Sequence, residues 1–184
     1  MQVERTSLPD VAILTPKRFG DHRGFFSEVF SAKAFEAEFG ATTFVQDNHS
    51  LSAAVGTIRG LHFQTEPAAQ GKLVRVTRGR ILDIAVDIRR SSPSFGQHVA
   101  VELSAEAWNQ LWVPPGFAHG FCTLEPDTEV LYKVTAFYSA AHDFGLAFDD
   151  PALGIAWPIA PEQAVVSDKD RRHPTLAELT HAFP

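Results

Sequence analysis

The sequence predicts a mainly β protein, a small sandwich or barrel of antiparallel strands with a few short peripheral helices. Two observations carry that prediction. Apolar residues recur at period two through the middle of the chain, at Val74 and Val76, then Leu82, Ile84, Val86 and Ile88, then Val99, Val101 and Leu103. Each run is short and closed by a turn signal, such as Gly79-Arg80, Ser91-Ser92-Pro93-Ser94 or Pro114-Pro115-Gly116.

In order, Val11 to Leu14 reads as a short strand closed by Pro16, and Phe19 to Gly24 as a turn built on Gly and Asp. Phe25 to Phe30 reads as a strand. Ser31 can cap a helix over Lys33 to Phe39, where Phe35 and Phe39 have helical spacing and Gly40 ends it. Thr43 to Val45 returns to strand character, and Gln46 to Ser50 is a dense polar patch. The run Leu82 to Ile88 puts Asp83 and Asp87 opposite its apolar face, the pattern of a half-buried strand. Shorter strands follow at Leu111 and Val113, Phe117 to Leu124 and Glu129 to Thr135. Pro174, Leu176, Leu179 and Phe183 read as one short helix packed on the outside.

The 184 residues fit one domain spanning 1–184, with 45% hydrophobic and 21% charged residues. A formal net charge of −6 and no basic run argue against a nucleic-acid partner, so any phosphate site must be a local cluster of Arg and Lys. Cys122 is the only cysteine, which points to a reducing compartment; with no signal-peptide core and no apolar stretch of about 18 residues, a cytoplasmic location off the membrane is expected.

The chemistry concentrates in Arg59-Gly60-Leu61-His62-Phe63-Gln64 and Lys72. Arg and Lys suit an anionic ligand, and His carries protons near neutral pH. The competing reading is a polar hairpin with a surface His. Pro114-x-Gly116-x-x-His119 resembles the second motif of the cupins, jelly-roll barrels in which that His is often a metal ligand. The region matching their first motif gives only His62, without a second His or a carboxylate at ligand spacing, so no metal or other cofactor is expected.

A wider set of segments occurs in order: FGDHRGFFSE (Phe19–Glu28), FVQDNHS (Phe44–Ser50), RGLHFQ (Arg59–Gln64), QGKLVRV (Gln70–Val76), Ala85–Arg89, SPSFGQ (Ser92–Gln97), QLWVPPGFAHGF (Gln110–Phe121), LYK (Leu131–Lys133) and SDKD (Ser167–Asp170). Together they resemble the dTDP-4-dehydrorhamnose 3,5-epimerase family of the cupin superfamily. The resemblance implies a cupin-type jelly roll. It also implies inversion of C3 and C5 of dTDP-4-dehydro-6-deoxy-D-glucose by proton removal and return beside the C4 ketone, in dTDP-L-rhamnose biosynthesis.

By this resemblance His62 is the base and Asp170 its partner, fixing the tautomer and stabilising the imidazolium. Lys72 stabilises the enolate, Arg59 takes the diphosphate, and Tyr132, in period-two sequence with Val130 and Val134, is the acid on the opposite sugar face. Arg23, Glu28, Gln46 and Asn48 are expected at the nucleotide, with Phe19 or Phe26 stacking on the base, and His119, Asp143 and Lys169 along the substrate site. Asp143 stands where the family is expected to carry Glu, one methylene longer. Some nucleotide contacts are expected from the neighbouring subunit of a homodimer. Two rival functions share these residues: a 3-only or 5-only epimerase for another dTDP-deoxysugar, and a cupin that binds a sugar nucleotide without turnover. The basic stretch Arg171-Arg172-His173 has no counterpart in this expectation.

Overall fold

The computed structural model describes residues 1–181 and 183–184. Its elements run β1 (Gln2–Arg5), β2 (Ala12–Thr15), β3 (Arg18–Asp21), β4 (Gly24–Ser27), α1 (Ala32–Phe39), β5 (Gln46–Ser52), β6 (Ile58–Gln64), β7 (Lys72–Arg78), β8 (Arg80–Asp87), β9 (His98–Ser104), β10 (Gln110–Val113), β11 (Phe117–Thr123), β12 (Thr128–Val134) and β13 (Asp143–Gly145). A six-stranded sheet in the order β1-β2-β10-β7-β12-β5 faces a five-stranded sheet in the order β13-β6-β11-β8-β9, and β3 and β4 form a separate hairpin. Every pairing within these sheets is antiparallel. The mainly β sandwich read from period two is the architecture observed.

Inward residues of both sheets meet in one core. Val74, Val76, Leu111 and Val130 come from the six-stranded sheet; Ile81, Ala85, Val99, Leu103 and Phe121 come from the other. Burying each such side chain contributes about 1.5–3 kcal/mol. A second core lies on the outer side of the five-stranded sheet, where Leu61, Ile84, Val86 and Ile88 pack beneath Leu146, Leu153 and Leu179.

That second core corrects the reading of β8. The apolar face Leu82, Ile84, Val86 and Ile88 looks away from the partner sheet and is covered by the C-terminal segment. Asp83 and Asp87, expected on a solvated face, are fully buried. Asp87 tolerates this because Arg89 (Nη2 to Oδ2, 2.7 Å), Ser92 (2.6 Å) and Ser94 (2.7 Å) all donate to it. Burial opposes its charge, those donors outweigh it, and its pKa is lowered to about 2.

Other expectations shift at the edges. The polar patch at Gln46 is strand β5, whose residues alternate between half-buried and exposed as far as the buried Ser52 and pair with β12 from Ser52↔Thr128 to Gln46↔Val134. Thr43 to Val45 precedes it outside any strand. The strand expected from Phe25 to Phe30 stops at Ser27 and pairs with β3, so the expected turn is a hairpin, and Gln2–Arg5 adds an edge strand not read from sequence. Ser31 occupies the N-cap of α1 without a side-chain bond, and Gly40 ends the helix at φ 82°. The C-terminal helix is reduced to the 3-10 turn Leu176–Glu178, capped by Thr175 and Glu178; Phe183 instead bridges to Arg89, and Ala182 lies outside the described residues. Two further 3-10 turns lie at Pro161–Gln163 and Asp170–Arg172.

Candidate active site

A cavity of about 510 Å³ opens between the sheets. β6 supplies Arg59 and His62, β7 supplies Lys72, β11 supplies His119, β12 supplies Tyr132, and the segment after Val165 supplies Lys169 and Asp170. Arg59 and His62 are three apart, and in a regular strand they would point to opposite faces. The pairing of β6 with β11 shifts between His119↔His62 and Phe121↔Arg59, so three steps on β6 match two on β11. This bulge turns both side chains into one cavity. Gly60 sits at the bulge with φ 132°, where a Cβ would meet Gly120 Cα at 2.5 Å and the His119 carbonyl oxygen at 2.9 Å, so only glycine fits.

His62 Nε2 lies 2.7 Å from Asp170 Oδ1 across 108 residues of chain. The second carboxylate oxygen accepts the Gly60 N–H at 3.2 Å. Burial works against the Asp170 charge, but the adjacent His173 and His62 imidazoles and the Gly60 amide outweigh it and hold the carboxyl well below its usual range. As an acceptor, the carboxylate fixes the proton of neutral His62 on Nε2 and leaves Nδ1 bare.

Lys72 is buried, and its Nζ donates to the His62 carbonyl oxygen at 3.0 Å. Burial lowers its pKa to about 8, with the charges of Asp143 and Asp83 opposing that shift. Tyr132 stands on the six-stranded sheet, between Asn48 of β5 and Val74 of β7, so it approaches the cavity from the side opposite His62. Burial raises its pKa, and the phenol stays protonated at neutral pH. His119 pairs across the strands with His62, and its Nε2 contacts Asp83 Oδ1 at 2.6 Å. Arg59 is steadied by Ser52 Oγ (3.1 Å) and the Leu51 carbonyl oxygen (3.1 Å).

Of the residues predicted from sequence, Arg59, His62, Lys72, His119, Tyr132, Lys169 and Asp170 therefore share one cavity. Asp143 stands just behind it, bonded to Lys169 Nζ (2.6 Å) and to the Tyr138 hydroxyl (3.3 Å). Gln46 and Asn48 bond each other at 2.8 Å and share the β5 face of Ser50, which lines the cavity. Arg23 and Glu28 are not brought there. Arg23 is exposed on the β3–β4 hairpin, paired with Asp21, and Glu28 is exposed just beyond it.

Two polar residues beside the site were not read as part of it. Asp83 was legible as the polar phase of β8, but period two alone does not say which face meets the other sheet. His173 follows Asp170 by three residues through a 3-10 turn, and residues three apart eclipse in that geometry. Its Nε2 comes to 3.4 Å from Asp170 Oδ1.

Known proteins resemble this chain over nearly its whole length. Residues 5–178 match the family model described as dTDP-4-dehydrorhamnose 3,5-epimerase. A dTDP-4-dehydrorhamnose 3,5-epimerase from Sinorhizobium fredii is 55% identical over 183 residues, covering 100% of this chain and 93% of its own. A Legionella pneumophila dTDP-6-deoxy-D-glucose-3,5-epimerase, solved in complex with dTDP-4-keto-L-rhamnose, superposes with a TM-score of 0.92 at 44% identity, covering 97% of this chain and 94% of that one. A Bacillus anthracis dTDP-4-dehydrorhamnose 3,5-epimerase with TDP and PPi bound gives 0.91 at 50% identity, covering 95% and 98%.

Proposed function

The chain belongs to the dTDP-4-dehydrorhamnose 3,5-epimerase family, and from that premise we propose how its own residues carry the reaction. It is an isomerase that converts dTDP-4-dehydro-6-deoxy-D-glucose to dTDP-4-dehydro-L-rhamnose, inverting C3 and C5 on the way to dTDP-L-rhamnose. The C4 ketone acidifies the hydrogens on both neighbouring carbons, so each centre inverts by losing a proton from one face and gaining one on the other. No electrons leave the sugar.

The observation that carries the assignment of roles is the contact between His62 and Asp170, opposite Tyr132 in one cavity. With its Nε2–H donated to Asp170, His62 accepts the carbon-bound proton at Nδ1, and the carboxylate stabilises the resulting imidazolium. The negative charge moves to the C4 oxygen. The Lys72 ammonium, fixed by the His62 carbonyl, is positioned to favour that enolate over the ketone. Tyr132, protonated and on the opposing sheet, returns a proton to the other face. Arg59 binds the diphosphate through its planar fork. His119, Lys169 and Asp143 bound the sugar end, and Gln46 and Asn48 extend toward the nucleotide.

Arg23 and Glu28 act from a second copy of the chain. The hairpin that carries Arg23 exposes Phe19, Phe25 and Phe26, at 55%, 56% and 71%, more aromatic surface than a lone protein usually leaves in water. A homodimer covers these rings and brings Arg23 and a stacking Phe to the partner's nucleotide end. No helix among the described residues is long and apolar enough to cross a membrane, and the working location proposed is the cytoplasm.

The test is conversion of dTDP-4-dehydro-6-deoxy-D-glucose by chelator-treated protein, followed by NMR. Formation of the C3- and C5-inverted product is expected. Inversion at one carbon only would replace this reading with a selective epimerase. Bound nucleotide without conversion would leave a binding protein.

A further inference from the structure

Beyond its influence on Asp170, His173 has no assigned part in the epimerase chemistry above, yet its side chain is only 9% exposed and its Nε2 makes only a long 3.4 Å approach to Asp170 Oδ1, with no well-formed hydrogen bond among the described residues. A buried ring nitrogen with only that long approach is poorly satisfied, so its placement calls for an explanation. The ring is held firmly. It lies against Gly145, where any Cβ would collide with its Nε2, Cε1 and Cδ2, and the next residue, Pro174, is anchored by the Ala147 N–H at 2.8 Å. Gly145 in turn pairs with His62 across β13 and β6. The two imidazoles stand edge to face at 5.6 Å with the Asp170 carboxylate between them. His62, Asp170 and His173 each offer a ligand atom, all within 4.8 Å of one another.

We propose that these three side chains form an inhibitory site for a divalent cation of the zinc type. Two imidazole nitrogens and one carboxylate oxygen are the donor set such a cation prefers, and three protein ligands leave a fourth position open toward the cavity. Bonds of about 2.1 Å in tetrahedral array separate ligand atoms by about 3.4 Å. Asp170 and His173 already stand at 3.4 Å, while His62 and Asp170 must part from 2.7 Å. His62, one-third exposed in the cavity, provides the way in. Coordination at His62 Nε2 moves the proton of the neutral ring to Nδ1, the nitrogen that must be bare to take the substrate's proton. The cation therefore blocks the base by changing its tautomer, with no proton gained or lost overall. This inhibitory consequence rests on His62 being the base; the binding itself does not.

The experiment titrates chelator-treated full-length protein with zinc against a chromophoric zinc indicator and follows epimerisation in parallel. One zinc per chain is expected, with turnover falling as the site fills and returning on addition of EDTA. His62→Ala and His173→Ala are each expected to weaken zinc binding by about 100-fold or more. His173→Asn, closer in shape, repeats the test should the alanine variant fold poorly. Absence of zinc uptake by the wild-type protein, or equal uptake by the His173 variants, would overturn the site. Zinc bound there with turnover intact would overturn its inhibitory role. A protein inactive even in chelator would sink the epimerase reading, while the titration would still report on the site.

Discussion

Asp170 is the residue on which the proposed base, His62, depends. Its carboxylate sets the His62 tautomer at 2.7 Å, and an amide in its place can present an N–H to the ring and reverse that preference. Asp170→Asn is expected to lower kcat by about 10³–10⁴-fold with little change in nucleotide binding, read from steady-state kinetics and a dTDP titration. In the proposed mechanism Lys72 sets the alkaline limit. Its pKa is lowered to about 8, so the ammonium is present below that pH and lost as pH rises through it. Turnover is expected to fall above about pH 8. Lys72→Met is expected to lose about 10²–10³-fold in kcat at pH 7 and no longer to show that limb, because the group that titrates is gone.

Among the elements, β6 matters most, and its bulge is the feature that builds the site. Gly60 allows β6 to lie against β11 closely enough for Arg59 and His62 to enter the same cavity, and its N–H holds Asp170. Gly60→Ala is expected to destabilise the fold by about 3 kcal/mol, read as a lower midpoint in urea. It is also expected to reduce turnover even where the protein remains folded, since the bulge aims the proposed base. This feature was not readable from the string RGLHFQ. Alternation predicts that Arg59 and His62 oppose each other, and only pairing with a strand about 60 residues later shows that they do not. β8 shows the same limit. Its period was plain, but the outer face proved to be the apolar one, because the covering residues Leu146, Leu153 and Leu179 come from a segment with little periodicity of its own.

At the scale of the molecule, architecture was legible in advance because short alternating runs and turn signals constrain a β sandwich strongly. The shared cavity was legible because nine motifs in order resemble one family. What remained hidden depends on chain segments distant in sequence. The partnership of His62 with Asp170 needs the fold, and His173 had no counterpart to compare with. The split between the residues gathered in the cavity and the exposed pair Arg23 and Glu28 has a consequence at this scale. In the proposed homodimer a second copy completes the nucleotide end, so the chain is expected to run as a dimer in size-exclusion chromatography with light scattering. Phe26→Ser is expected to shift it toward monomer and to raise KM more than it lowers kcat; a wild-type monomer with full activity would show that one chain suffices.

The proposed mechanism turns on proton exchange by a base and an acid on opposite faces of the sugar. It is tested most directly by incubating wild-type and Tyr132→Phe proteins with dTDP-4-dehydro-6-deoxy-D-glucose in deuterated water and following C3 and C5 by proton NMR. The wild type is expected to incorporate deuterium at both carbons as product forms. Tyr132→Phe is expected to keep His62-driven exchange at C3 or C5 while inverted product falls by about 10²–10³-fold. A Tyr132→Phe protein that forms inverted product at the wild-type rate, or a wild type that exchanges at neither carbon, would contradict the account.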